Sequence, residues 1–168
     1  MIVIGTSAGR EHWATDALAS LTGHGVLVLS QYEYELGKLR WVLEHTDIQR
    51  FWFLQDSVII HDADFLHAAL DMQGAVALCG HPVPYGMYMG VYDRRTLRQV
   101  GIPEVTDKAT AIRLEVEWTR LYCEAAGPVH VCFPDLCDRN AVGIEHHHGR
   151  DNLLLRNESI SKWKGTWG

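Results

Sequence analysis

Short runs in which every residue is apolar alternate with segments of helical periodicity in the first third of the chain. Residues 2–4, 26–29 and 51–54 form three such runs and predict three strands. Apolar residues at helical spacing predict two helices between them, with Trp13, Ala14, Ala17, Leu18 and Leu21 on the first and Leu36, Leu39, Val42 and Leu43 on the second. Strands that are apolar throughout are buried on both faces. This order therefore predicts a parallel sheet with right-handed crossovers and helices on both sides.

The rest of the chain has a less regular pattern. Residues 75–79 predict a strand, and the apolar piece 87–92 after the Pro- and Gly-rich loop 81–86 predicts another. A helix is expected to begin at Asp62 or Asp64, either of which is well placed to cap it, and to run through Leu70. A longer helix over 108–125 ends before Gly127-Pro128 and carries one apolar stripe, made of Leu114, Trp118, Leu121, Tyr122 and Ala125.

Composition narrows the class of protein. The chain has 168 residues, 47% of them hydrophobic and 21% charged, which is typical of one globular domain. The net charge of −6 disfavours general nucleic-acid binding. No apolar run approaches the ~20 residues of a membrane helix. The first residues do not resemble a secretory signal, so a cytoplasmic location is expected, and the oligomeric state is left open.

The four cysteines lack a C-x-x-C pair. Cys79, Cys123, Cys132 and Cys137 are scattered, and they are interpreted as reduced thiols. An alternative is a zinc site made by Cys132 and Cys137 with the histidine triplet 146–148. Its spacing differs from that of regular zinc fingers, so plain thiols are favoured.

Ligand chemistry is expected where the strands end. In open α/β sheets, ligands bind beyond the carboxyl ends of the strands. The first strand is followed by Gly5-Thr6-Ser7-Ala8-Gly9-Arg10, a small polar loop at a helix start that suits a nucleotide or phosphate. It is neither G-x-G-x-x-G nor a Walker loop. A helix capped by Ser7 is an equally good interpretation of the same residues.

Asp56 follows the third strand directly. A carboxylate beside four bulky apolar residues is costly to bury unless it is paired or binds a cation. Its position favours metal or ligand binding over a purely structural role. Asp62 and Asp64 form a literal D-x-D, but their place before Phe65-Leu66 favours helix capping.

These features carry a family resemblance. The β-α-β-α-β start, Gly37-Lys38-Leu39 in the second helix and the string FWFLQDSVIIHDADFL resemble the nucleotide-sugar half of a GT-A glycosyltransferase. The resemblance implies a single-domain α/β fold, a Rossmann-like three-layer sandwich with a mostly parallel central sheet. It divides the chain into a nucleotide-sugar-binding half (1–92), an acceptor-side half (93–148) and a basic tail (149–168). The implied activity is hexosyl transfer from a nucleotide-diphospho-sugar donor to a glycan or other hydroxyl acceptor.

The resemblance also implies roles for individual residues. Gln55-Asp56-Ser57 aligns with the acidic D-x-D of the family, so Asp56 is the one carboxylate carried over as a ligand of Mn or Mg, or of the ribose. His146, His147 or His148 would supply a histidine ligand, as some members do, with His146 and His148 favoured. Thr6, Ser7, Arg10, Lys38 and Gln55 would contact the donor. Glu115 or Glu117 falls where the family carries the base that deprotonates the acceptor, although a solvated helix face explains either one singly.

The segment 88–97 adds a softer match. It is similar to the acceptor-side part of such enzymes, in which a small-residue strand precedes a short helix that begins with arginine. Compact proteins of this appearance are familiar from bacteriophage genomes.

The last twenty residues carry a charge of opposite sign to the rest. Residues 149–168 contain four basic and two acidic side chains, whereas the remainder has a net charge of −8. Lys162, Lys164 and Arg156 are therefore candidates to fold over a diphosphate, with Trp163 or Trp167 closing the site. A terminal tail without fixed structure is the alternative.

Two other functions stay open. One is a non-catalytic nucleotide- or glycan-binding module whose acidic motif has decayed to Gln-Asp-Ser. The other is a metal-dependent hydrolase organised by His61, Asp62 and the histidine triplet. The transferase hypothesis predicts that a nucleoside diphosphate with Mn raises the melting temperature. It depends on Asp56 facing a ligand crevice rather than being held in a purely internal ion pair.

Overall fold

A computed structural model of the chain describes residues 1–30, 34–79, 89–134, 145–146 and 153–163; the side chains of 145, 146, 153–155 and 163 are not among them. The strands in these ranges are β1 (Ile2–Gly5), β2 (Val26–Leu29), β3 (Arg50–Gln55), β4 (Val58–Ile60), β5 (Ala75–Cys79), β6 (Gly90–Asp93), β7 (Val129–Phe133), β8 (Glu145–His146), β9 (Leu153–Arg156) and β10 (Ile160–Trp163). The helices are α1 (Glu11–Ser20), α2 (Tyr34–His45), α3 (Asp64–Asp71), α4 (Arg94–Val100) and α5 (Lys108–Ala126).

The central sheet is mostly parallel. Its six strands lie in the order β2-β1-β3-β6-β5-β7, and β6 is antiparallel to both of its neighbours. Ile2 of β1 is in register with Val26 of β2 on one side and Trp52 of β3 on the other. The parallel arrangement predicted for the first three strands is therefore confirmed.

Helices cover both faces of this sheet. Ala17 and Leu21, at the end of α1, and Leu66 and Ala69 of α3 pack with Ile2 and Ile4 on one face. On the other face, α2, α4 and α5 pack with Val3 and with alternate residues of β3. Because side chains alternate along a strand, both sets of strand residues are buried, which explains the runs without polar positions. The molecule is an α/β protein with three layers.

The connections of β1 and β3 open a crevice between these two strands. The crossover through α1 leads from β1 to β2 on one face, and the crossover through α2 returns past β1 to β3 on the other. The direction of winding thus reverses between β1 and β3. Their carboxyl ends lie side by side, with Gly5 in register with Gln55. Such a topological switch point is the usual ligand site of doubly wound sheets.

A second sheet was not predicted from the sequence. It is four-stranded, with the order β4-β10-β9-β8, and its described pairings are antiparallel. After β3, the chain turns at Asp56–Ser57 and continues as β4. Lys162 of β10 is in register with Val58 of β4. This pairing carries the described part of the basic tail to the carboxyl end of β3.

The helix boundaries agree closely with those predicted from the sequence, but the residues predicted to form the buried face of α5 are partly wrong. The N-cap residue of α3 is Ala63, which makes no side-chain cap hydrogen bond, so neither Asp62 nor Asp64 caps the helix as predicted; Asp62, one residue earlier, accepts a hydrogen bond from the backbone N of Asp64. The short helix expected to begin with an arginine is α4, which follows β6. On α5, Trp118 and Tyr122 are buried as predicted, but Leu121 is 46% exposed, and Thr119 and Cys123 are buried instead. The buried face of α5 is therefore rotated by about one residue from the predicted apolar stripe, which included Leu121.

None of the helices in the described ranges combines the length and the apolar character that a membrane crossing requires.

Candidate functional site

Asp56 lies at the centre of a polar cluster at the carboxyl ends of β1 and β3. Its residue is 2% exposed, and its backbone N donates to the carbonyl oxygen of Gly5 (3.0 Å). The hydroxyl of Thr6 donates to Oδ2 (2.7 Å), and Nη2 of Arg10 donates to Oδ1 (2.6 Å). Thr6 and Arg10 come directly after β1, so the parallel pairing of β1 with β3 brings the two predicted loops together. Ser7, from the same loop, is exposed.

The Asp56–Arg10 pair is buried at one end and open at the other. The Asp56 side chain is 3% exposed, whereas the Arg10 side chain is 27% exposed. Burial raises the pKa of Asp56, and Thr6, Arg10, Lys162 and Lys38 all act in the opposite direction. Nε of Arg10 is buried and has no hydrogen-bond partner among the described residues. Arg10 is therefore the member of this pair that a ligand can reach.

Lys162 enters the same cluster from the second sheet. Its Nζ donates to Oε1 of Gln55 (2.8 Å) and to the hydroxyl of Ser57 (2.6 Å). Burial lowers the pKa of Lys162 to about 8, and this effect is opposed by nearby Cys79, Asp56 and Glu35. Both hydrogen-bond acceptors are neutral oxygens. Among the described residues, no carboxylate is in direct contact with this ammonium.

Gln55 links Lys162 to an acidic residue that sequence reasoning missed. Nε2 of Gln55 donates to Oε1 of Glu35 (2.8 Å), while its Oε1 accepts from Lys162. This network fixes the orientation of the amide. Glu35 lies in the first turn of α2, which follows β2, and the carboxyl end of that strand was the available signal. The residue before it, Tyr34, has a positive φ of 63°.

Lys38 lies underneath the cluster. It is 3% exposed, its Nζ donates to the carbonyl oxygen of Tyr34 (3.4 Å), and burial lowers its pKa. Its aliphatic stem packs over Gly5, where an added Cβ would lie 3.0 Å from Cδ of Lys38 and 2.7 Å from Cζ of Phe53. Gly5 is thus needed for the close approach of both side chains. The positive charge of Lys38 lies within range of Glu35 and Asp56. Because the residue is buried, it is poorly placed to touch a ligand.

The structure separates the two glutamates that were proposed as bases. Glu115 is half-buried; burial raises its pKa, Glu35 raises it further, and Lys162 lowers it. Glu115 is therefore within electrostatic range of Glu35 and Lys162, which both belong to the cluster. Glu117 instead pairs with Arg113 one turn earlier on α5, and its side chain is 54% exposed. Residues two apart on a helix face different directions, and here Glu115 is the more buried of the two.

A scan against models of protein families matches nothing in this chain, and a search of curated proteins finds no match either. No family is shown. The resemblance to GT-A glycosyltransferases therefore rests on the residues themselves, and the chemistry must be inferred from the cluster.

The described part of the cluster does not suit a divalent cation. Both oxygens of Asp56 already accept hydrogen bonds, and the positive charge of Arg10 lies at the place where a metal would bind. No group of three or more His, Cys, Asp or Glu side chains among the described residues is arranged to hold a metal. His146 belongs to β8 with its side chain outside the described set, and His147, His148 and Lys164 lie outside the described residues. A histidine-assisted metal site thus stays a prediction.

The residues of the other candidate metal sites are engaged locally. Nε2 of His61 lies 2.6 Å from the hydroxyl of Ser161, and Oδ1 of Asp62 accepts a hydrogen bond from the backbone N of Asp64. Burial raises the pKa of the Cys132 thiol to about 11, while Cys137 lies outside the described residues. Nothing in the described part of the chain favours the hydrolase or the zinc site.

A cleft of about 500 Å³ lies at the opposite edge of the sheet, near the start of β3 and β5. It is lined by Arg50, whose guanidinium donates to the carbonyl oxygens of Leu70, Met72 and Gly74. These bonds tie the connection between α3 and β5 to β3. Arg50 is thus occupied by backbone carbonyl groups, while Arg95 also lines this cleft.

Proposed function

We propose that this protein is a glycosyltransferase of the GT-A type, which moves a sugar from a nucleotide-diphospho-sugar to a hydroxyl acceptor. The observation that carries the proposal is the convergence of Arg10 and Lys162 on Asp56 and Gln55 at the switch point of the sheet, with Glu115 within range of the charge of Lys162. Two cations and one acid in a crevice of this kind suit a reaction that expels a diphosphate and deprotonates a hydroxyl.

The donor would lie across the carboxyl ends of β1 and β3. Arg10 presents its partly exposed guanidinium from the β1 side, and β10 presents Lys162 from the second sheet. Arginine and lysine are the side chains that proteins use most often for phosphate groups. Thr6 is buried and donates to Asp56, so its role is to hold the carboxylate that orients Arg10.

The chemistry follows from these positions. The bond between the anomeric carbon and the diphosphate oxygen breaks, and its electron pair stays on the diphosphate, where Arg10 and Lys162 stabilise the growing charge. The acceptor oxygen forms the new bond to the anomeric carbon. Its proton passes to the carboxylate of Glu115, whose raised pKa makes it a better base than an ordinary glutamate.

One observation favours a second candidate, the non-catalytic binding module. Asp56 is held inside the protein by Thr6 and Arg10, which is the internal pairing that counts against the transferase hypothesis as first stated; the transferase proposal therefore rests on the partly exposed Arg10 and not on Asp56 as a ligand. A module of this kind would use the same crevice and the same cations. It would bind a nucleoside diphosphate without turning over a nucleotide sugar.

A panel of nucleoside diphosphates and their sugar conjugates separates the candidates. At least one diphosphate is expected to raise the melting temperature by several degrees, and the matching nucleotide sugar should be hydrolysed or transferred slowly. Binding without turnover would select the module. No shift with any diphosphate, with or without Mn, would exclude both.

Glu115→Gln is the matched test of catalysis, with Glu117→Gln as its control. Loss of the base is expected to lower kcat by about 10²–10⁴-fold and to leave diphosphate affinity nearly unchanged. Glu117→Gln, on the exposed face of the same helix, should keep full activity. Equal activity of the two variants would remove Glu115 from the mechanism.

A further inference from the structure

We infer that this site binds the diphosphate of its ligand without a divalent cation, through Arg10 and Lys162. The inference rests on the proposed function because it concerns the same crevice. It holds equally for the transferase and for the binding module, since both must hold a diphosphate.

The first reason is the state of Asp56. Oδ1 accepts from Arg10 at 2.6 Å and Oδ2 accepts from Thr6 at 2.7 Å, so one carboxylate oxygen faces a guanidinium and the other a hydroxyl. A cation placed within ligand distance of either oxygen would meet the charge of Arg10. It would also have to displace a charge-assisted hydrogen bond in a buried setting. The guanidinium thus occupies the electrostatic role that a metal would have.

The second reason is the way Lys162 is held. Gln55 and Ser57 occupy two of its three N–H donors, and both are neutral acceptors. The groups around the ammonium are Cys79 at the end of β5, Asp56 after β3, Arg10 before α1, Glu35 on α2 and Glu115 on α5. None of these side chains accepts either of the two hydrogen bonds that fix Nζ. The ammonium is therefore already oriented by neutral oxygens, and a phosphate oxygen at this site would meet a cation that no described carboxylate contacts directly.

The third reason is the charge balance of the cluster. When all groups are ionised, Arg10, Lys38 and Lys162 balance Asp56, Glu35 and Glu115. Asp56 is neutralised by its ion pair with Arg10, and Glu35 already accepts a hydrogen bond from Gln55. A metal bound with a diphosphate usually keeps at least one protein carboxylate as ligand. Among the described residues, the carboxylate that directly follows β3 is paired internally, and no group of three or more His, Cys, Asp or Glu side chains is arranged to hold a metal.

The test is calorimetric titration with nucleoside diphosphates, using the full-length protein in EDTA and again in Mn. The affinity for the diphosphate that binds is expected to agree within about threefold between the two conditions. Arg10→Met and Lys162→Met should each weaken it by about tenfold or more, which matches the loss of a charge-assisted hydrogen bond. Arg98→Met is the matched control: Arg98 is an exposed cation on α4, outside the cluster, and its removal should leave the affinity unchanged.

Each outcome decides a separate point. Affinity in EDTA more than tenfold weaker than in Mn would overturn the inference and leave the proposed function standing. No binding in either condition would overturn the proposed function itself. If Lys162→Met fails to fold, Lys162→Arg replaces it, and this variant should retain diphosphate binding in EDTA. Loss of binding by the folded Lys162→Arg variant, together with full binding by Arg10→Met, would also overturn the inference.

Discussion

Single residues in this protein take their roles from partners that the sequence places far away. Asp56 was expected to hold a ligand because its position beside four apolar residues makes an unpaired carboxylate costly. The structure shows that Thr6 and Arg10, from the loop after β1, offset this cost inside the protein by donating hydrogen bonds to the two oxygens of Asp56. Asp56 is thus a positioning residue, and Arg10 is the group that faces outward. The convergence of the two loops was predictable; the internal pairing was not.

Asp56 should leave a signature in the pH dependence of stability. Burial raises its pKa in the folded protein, so the folded state binds this proton more tightly than the unfolded chain. The stability that the proton confers is present at low pH and is lost as the pH rises from about 4 through the raised pKa. The free energy of unfolding of the wild type, relative to Asp56→Asn, should therefore fall over this range, by at most about 1.4 kcal/mol per pH unit.

Urea unfolding at several pH values between 4 and 7 measures this difference. Asp16→Asn, which changes an exposed carboxylate on α1, serves as control and should show little slope. A wild-type advantage that grows with pH would show that the ion pair with Arg10 outweighs burial.

At the scale of elements, local patterns were reliable and long-range pairings were not. The bounds predicted for β2, β5 and α5 agree with the structure to within a residue, because each depends on its own periodicity and on nearby turn residues. The antiparallel insertion of β6 and the pairing of β10 with β4 depend on contacts between residues that are distant along the chain. No short window of sequence carries that information.

The same limit applies to the site. The residue types and the sheet edge were predictable, because parallel strands bring their carboxyl ends together. Spacing alone left Glu115 and Glu117 equivalent, whereas the packing of α5 leaves Glu115 half-buried and Glu117 exposed. Glu35 was missed because nothing after β2 drew attention to the first turn of α2, although that turn lies at the same edge of the sheet.

The junction between β5 and β7 offers a test of element packing. Gly74 has a positive φ of 89°, and an added Cβ would overlap the carbonyl of Pro128, which accepts a hydrogen bond from Ala75. Gly23 has nearly the same φ, 90°, with no atom within 4 Å of the added Cβ. Gly23→Ala should cost about 1–2 kcal/mol from the left-handed backbone alone. Gly74→Ala should cost about 1–3 kcal/mol more, because the junction must also shift.

Chemical unfolding of both variants gives the comparison directly. Equal destabilisation would mean that the chain at Pro128 moves freely, and that the start of the β5–β7 pairing is not fixed by this contact.

At the scale of the whole molecule, the second sheet makes the site from two distant parts of the sequence. β3 supplies Gln55 and the turn after it, and β10 supplies Lys162 more than a hundred residues later. A basic segment on an otherwise acidic chain is thereby fixed at the carboxyl edge of the central sheet. The pairing of β10 with β4 is therefore what brings Lys162 into the cluster.

Because Lys162 belongs to both the second sheet and the cation cluster, raising the pH above neutral should change protein stability and ligand affinity in opposite directions. Its pKa is lowered to about 8 in the folded protein from an ordinary value of 10.5, so the unfolded chain binds the proton more tightly. Between about pH 8 and 10.5, the free energy of unfolding should rise with pH relative to Lys162→Met. Over the same range the neutral amine loses its attraction for a diphosphate, so ligand affinity should fall. Lys162→Arg keeps its charge and should show neither change.

Unfolding and diphosphate titration at pH 7, 8, 9 and 10 measure both slopes on the same samples. Opposite slopes in the wild type, both flattened in Lys162→Arg, are expected only if one ammonium serves the fold and the ligand together. A fall in affinity that persists in Lys162→Arg would assign the titrating group elsewhere, since an arginine stays protonated throughout this range. Stability that rises without any change in affinity would mean that Lys162 fastens β10 to the turn after β3 and does not touch the diphosphate.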